Sequence, residues 1–148
     1  MTTAILLNIP GTPRPQPRPR LCRGRVVSTA DANARRWQDE VRKGARVAFD
    51  AHGAMAGPLV VSMMFAMPTK DKARHGQPHT FVPDVDNLAK LALDVVVKAG
   101  LIPDDRAVST IVVRKTWAEV AGMVMTIAAD DRQVRVPAEP EAPPRWLN

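Results

Sequence analysis

The stretch Pro83-Asp84-Val85-Asp86-Asn87-Leu88-Ala89-Lys90 marks where an aperiodic loop turns into a helix. From about Asp86 to Ala99, the residues Leu88, Leu91, Ala92, Val95, Val96 and Ala99 fall on one face, and Gly100 supplies a stop. If Asp84 to Asp86 is extended, both carboxylates point the same way and Val85 points into the core. Asp86 then occupies the position of a helix N-cap. A helix of this length runs about 20 Å. The return through Gly100 to Pro103-Asp104-Asp105 would bring a second acidic pair back toward the first.

Working outward, Leu59 to Met67 is apolar at nearly every position, which predicts a strand covered on both sides, with Met63, Met64 and Met67 as core. The segment from Pro68 to Pro83 follows neither period and carries Lys70, Lys72, Arg74, His75 and His79. A loop of this length inside a compact domain tends to be functional or mobile, and both histidines read as ordinary loop residues. Further upstream, Ala34, Trp37, Val41, Ala45, Ala48 and Phe49 predict a helix from about Ala30 to Gly53, capped by Ser28 or Thr29. Thr3 to Ile9 reads as a first strand, stopped by Pro10-Gly11. Downstream, Val108 to Trp117 and Ala121 to Ala129 read as two strands with a tight connection around Glu119. Trp37 and Trp117 sit at periodic apolar positions and are read as core, while Trp146 has no assigned role.

The resulting order, β-α-β-α-β-β, mixes helical and hairpin connections. It predicts an α+β domain over residues 1–130, a small mixed β-sheet with two helices packed on one face. Within it, residues 10–25 form a Pro/Arg-rich extended segment, since prolines at 13, 15, 17 and 19 fix φ and remove backbone donors. Residues 131–148 are proline-rich and read as a disordered tail.

Composition bounds the function. The 148 residues are 45% hydrophobic and 24% charged, which suits one folded domain. No apolar run reaches the roughly 18 residues of a membrane span, and no basic n-region precedes the short N-terminal apolar stretch. The lone Cys22 forms no intrachain disulfide and lacks the partners of a zinc site. A cytoplasmic protein without a membrane partner is expected. The net charge of +6 is uneven: residues 1–83 hold 13 basic and 5 acidic residues, and residues 84–148 hold 8 and 10. A basic half beside a locally acidic centre suits a protein that attracts a polyanion and holds a cation against it.

Three converging carboxylates would raise one another's pKa values unless a cation sat between them. Oxygen-only ligands favour Mg²⁺ or Mn²⁺ over zinc, and such an ion beside a basic surface is suited to phosphodiester hydrolysis. Plain structural readings stand next to these. Asp86, Lys90, Asp94 and Lys98 lie four apart, as in an ion-paired helix face. Asp104-Asp105 after a proline is an ordinary turn. The Pro13–Pro19 segment could serve as a ligand for a proline-binding domain.

The block Pro83 to Lys90, the helix through Asp94 to Gly100, and Asp104-Asp105-Arg106-Ala107-Val108 together resemble the RusA family, Holliday-junction resolvases of bacteria and their phages. Pro10-Gly11-Thr12-Pro13 with Arg18, Arg20 and the Trp37 helix is similar to the N-terminal half of phage-borne members. The likeness covers about residues 3–129. It implies a homodimeric, Mg²⁺-dependent endonuclease of DNA recombination and repair that nicks opposed strands of four-way junction DNA, with Mn²⁺ as a substitute. Carried over by position, the essential acids fall on Asp84, Asp86 and Asp105, and the helix lysine on Lys90. Asp104 is a further candidate ligand. Arg14, Arg18, Arg20, Arg23, Lys70, Lys72 and Arg74 would grip the DNA backbone. Many relatives carry a basic residue immediately before the Pro-Asp, where this chain has Val82. The rival function is a noncatalytic junction- or duplex-DNA-binding protein of the same fold.

Overall fold

The computed structural model describes residues 4–28 and 30–132. Four strands form the main sheet: β1 (Ala4–Pro10), β4 (Leu59–Pro68), β5 (Val108–Ala118) and β6 (Gly122–Ala129), in the order β1-β6-β4-β5. β4 pairs parallel with β5, while β6 runs antiparallel to both β1 and β4. Two helices, α1 (Ala32–His52) and α2 (Val85–Lys98), pack on one face. The predicted α+β class and mixed sheet are what the chain forms.

The connection between β5 and β6 departs from the expected hairpin. Only Glu119–Ala121 separate them, yet they are not partners, because β4 lies between them and pairs with both. The most apolar strand takes a central position, where its odd residues Leu59, Val61, Met63, Phe65 and Met67 are buried under the helices. Burying each such side chain contributes about 1.5–3 kcal/mol. The opposite face of the sheet is open, which corrects the expectation of a strand covered on both sides. Ser62 and Met64 are exposed there, so Met64 does not join Met63 and Met67 in the core.

α1 begins at Asp31, whose side chain accepts a hydrogen bond from Ala34 N at 2.7 Å. Ser28 is not the cap, and Thr29 lies outside the described residues. The helix presses closely on β1: a Cβ at Gly44 would fall 2.2 Å from Ile9 Cδ1, so only glycine permits that approach without repacking. Trp37, Val41 and Ala45 bury the same face, and Gly53, with φ 73°, ends the helix.

The arginine-rich region is extended only as far as Pro19. It then forms a two-stranded hairpin, β2 (Arg20–Cys22) and β3 (Arg25–Val27), turning through Arg23 and Gly24, both at positive φ. Sequence pattern does not show so short a hairpin. The expected strand start at Thr3 and most of the expected tail, residues 133–148, lie outside the described residues.

Candidate active site

The parallel β4–α2–β5 unit positions the acids. Asp84 is the N-cap of α2, with φ −67° and ψ 144°, and Asp86 lies in the first turn. This shifts the expected cap from Asp86 to Asp84. Val85 is already helical and is exposed rather than turned into the core.

Asp84 makes no side-chain capping bond. Among the described residues, neither Asp84, Asp86 nor Lys90 forms a side-chain hydrogen bond or ion pair. The ion-paired helix face therefore does not account for Asp86 and Lys90. Two carboxylates without partners, next to the positive end of a helix dipole, are placed to hold a cation or to meet a polar ligand.

Both acids open onto a depression of about 470 Å³ that they share with His79, Phe81, Val82 and Lys115. Lys115, on β5, donates from Nζ to the carbonyls of Phe81 at 2.5 Å and Pro83 at 2.6 Å. The Val82–Pro83 peptide bond between them is cis. His79 is buried against Trp117, with ring centroids 4.1 Å apart, and its Nδ1 has no hydrogen-bond partner among the described residues. Burial, with Lys115 nearby, lowers the His79 pKa from its usual value and favours the neutral ring. Neither Lys115 nor His79 stood out in the sequence. Lys115 sits at a strand position like its neighbours, and His79 looked like loop.

Alongside lies a groove of about 630 Å³ that shares Val82 and Asp84 as a wall. Its other side is the proline-arginine segment, docked onto α2 where Gln16 N donates to Asn87 O at 3.2 Å. Arg14 and Arg18 line this groove. Arg20 and Arg23 are carried on the exposed hairpin. Lys70 and Lys72 are exposed at a separate hollow with His75. Arg74 is committed to Asp71 at 3.3 Å and lies 5.7 Å from the Trp117 ring centroid. Trp117 itself is only half-buried.

The second acidic pair does not return to the first. Asp104 and Asp105 precede β5 at Val108, whereas the loop before Asp84 is tied to β5 at Lys115. The rise from Val108 to Lys115 along the strand is about 23 Å, matching the length of α2, about 21 Å. The two pairs thus stand at opposite ends of the helix. Among the described residues, no group of three or more His, Cys, Asp or Glu side chains could hold a metal ion. The expected convergence within one chain is corrected accordingly, because a single helical crossover ends one helix length from where it began.

Asp104 is engaged at its own end. It caps a 3-10 turn over Asp105–Ala107 and takes two bonds from Arg106, at 3.1 Å from Nε and 2.8 Å from the terminal nitrogen. Those bonds hold its carboxyl well below the usual carboxylate range. Asp105 is exposed.

Among the described residues, no helix is long and apolar enough to cross a membrane. No curated protein matches the chain. The sequence profile of endodeoxyribonuclease RusA, a family of Holliday-junction endonucleases, matches residues 10–128. That span takes in the docked arginine segment, both helices, the Asp84–Asp86 pair and the Asp104–Asp105 turn. On these grounds the chain belongs to the RusA endodeoxyribonuclease family.

Proposed function

We propose that the protein is a Mg²⁺-dependent resolvase that cuts Holliday junctions by paired nicking, acting as a homodimer. The observation that carries this reading is the Asp84–Asp86 pair: two carboxylates without partners among the described residues, facing an open depression at the end of a docked arginine segment.

The donor set fits the metal. Carboxylate oxygens suit a hard divalent ion, and the depression offers no thiolate. Asp84 and Asp86 would hold it, and when bound it would supply charge stabilisation at the phosphate and a more acidic attacking water. Lys90, four residues beyond Asp86 in α2, is spaced to meet the phosphate from the same side. The arginines of the segment and hairpin fix the backbone without reading sequence.

Among the described residues, the length of α2 keeps Asp105 of the same chain away from the Asp84–Asp86 pair. In a two-fold dimer, Asp105 of the partner subunit would complete the pair, and the symmetry would set two such sites against opposed strands. Asp104 belongs with Asp105 at that turn, but its bonds to Arg106 make it a support rather than a ligand.

The test is cleavage of a synthetic mobile four-way junction with Mg²⁺, Mn²⁺, Ca²⁺ or EDTA, comparing the wild type with Asp86→Asn. Paired nicks in Mg²⁺ or Mn²⁺, absent in EDTA and in a variant that still binds, support the reading. Tight junction binding with no cleavage in any metal overturns it in favour of a noncatalytic junction-binding protein.

A further inference from the structure

The segment leading to Asp84 is anchored to the sheet in two ways. Up to His79 its backbone pairs with β5, through Gly76 N to Trp117 O, Trp117 N to Gln77 O and His79 N to Lys115 O. From there the attachment passes to the Lys115 side chain, which spans the carbonyls of Phe81 and Pro83 on either side of Val82. The second of these carbonyls belongs to the residue bonded to Asp84. Lys115 therefore determines where the α2 N-terminus, and both acids with it, stand relative to the sheet.

An ammonium group carries three donors, and two are used here. Lys115 lines the depression shared with Asp84 and Asp86, and its third N–H has no acceptor among the described residues. Among the described residues, Lys115 is not ion-paired with either acid. Its charge is left for an anion at a place where Val82 offers none.

We infer that Lys115 has two tasks: it positions Asp84 and Asp86 by clamping the Phe81–Pro83 strap, and it gives its third N–H to an oxygen of the phosphate being cut. The inference rests on the nuclease reading of the acid pair.

Lys115→Met keeps the length of the stem and removes the donors. With saturating junction in Mg²⁺, kcat is expected to fall by about 100-fold, the scale of a small misplacement of catalytic groups. Junction affinity should change by less than about threefold, because many other phosphates remain neutralised. A merely structural lysine would not give this split between kcat and binding.

A second variant guards against a folding defect. Lys115→Cys in a Cys22→Ser background is assayed before and after alkylation with 2-bromoethylamine, which rebuilds an ammonium on a stem of lysine length. Recovery of cleavage on alkylation, with unchanged junction binding, supports the inference. Lys115→Met cleaving within threefold of wild type overturns it, as does complete alkylation without recovery. Failure of the wild type itself to cleave in Mg²⁺ or Mn²⁺ overturns the underlying nuclease reading and this inference with it. The two failures are therefore distinguishable.

Discussion

The ring of His79 stands 4.1 Å, centroid to centroid, from that of Trp117, buried and with its Nδ1 unsatisfied. Burial lowers its pKa in the folded chain, and the charge of Lys115 adds to that. The unfolded chain therefore takes up the proton first as pH falls. His79 contributes stability that is fully present above its unfolded pKa, about 6.5, and is lost as pH drops below it. The slope is at most about 1.4 kcal/mol per pH unit. Urea titrations between pH 5 and 8 should show this loss in the wild type, and His79→Phe should remove it. An unchanged profile in that variant would show that His79 is not the group responsible.

The carboxylate of Asp84 caps nothing, so its removal should separate chemistry from folding. Asp84→Asn is expected to abolish nicking while changing stability by less than about 0.5 kcal/mol, the usual range for a surface substitution. Junction binding should persist. Cleavage, denaturant melts and gel-shift titrations on one preparation check all three. A variant that unfolds would return Asp84 to a structural role.

Engagement of the DNA backbone should release counterions, giving a steep fall of affinity with salt. Arg20→Ala and Arg23→Ala, on the exposed hairpin, should each reduce the slope of log K against log salt by about 0.9 for every phosphate no longer neutralised. Arg74→Ala should differ. Its guanidinium is held by Asp71 and by the Trp117 ring, so the expected effect includes a lower melting temperature. Salt titrations on junction and duplex DNA, paired with melts, tell the two groups apart.

Where β6 starts, a Cβ at Gly122 would lie 2.8 Å from the backbone oxygen of Ile9 on β1. A backbone atom cannot rotate away as a side chain can. Gly122→Ala is therefore expected to cost about 1–3 kcal/mol, the scale of overpacking, read as a lower urea midpoint. A variant as stable as the wild type would show that the strands can separate there at no cost.

Much of the fold was readable from local pattern. The period of Trp37, Val41 and Ala45 and that of Leu88, Leu91, Ala92 and Val95 each mark a helix, and Gly53 and Gly100 end them where expected. The placement of β4 between β5 and β6 was not readable, because adjacent strands in sequence do not reveal which third strand will separate them. Nor could an apolar strand show which of its faces stays bare, as Met64 demonstrates. Capping was a competition among nearby side chains, and Asp31 won it by reaching Ala34 N. The Asp84–Asp86 pair was legible because its spacing is local. Its separation from Asp104–Asp105 depends on the direction of a whole helix, and the place of Lys115 depends on a carbonyl 32 residues earlier in the chain.

The most direct test of the central proposal, that acids from two protomers form each cutting site, is complementation between two inactive variants. Asp86→Asn and Asp105→Asn are each assayed alone on a four-way junction in Mg²⁺, then after mixing under conditions that exchange subunits. In a shared arrangement, a mixed dimer has one site with both substitutions and one with neither, so single-strand nicking should reappear on mixing. Both homodimers must be inactive and both must still bind the junction. No nicking in a mixture shown to contain mixed dimers would contradict the account.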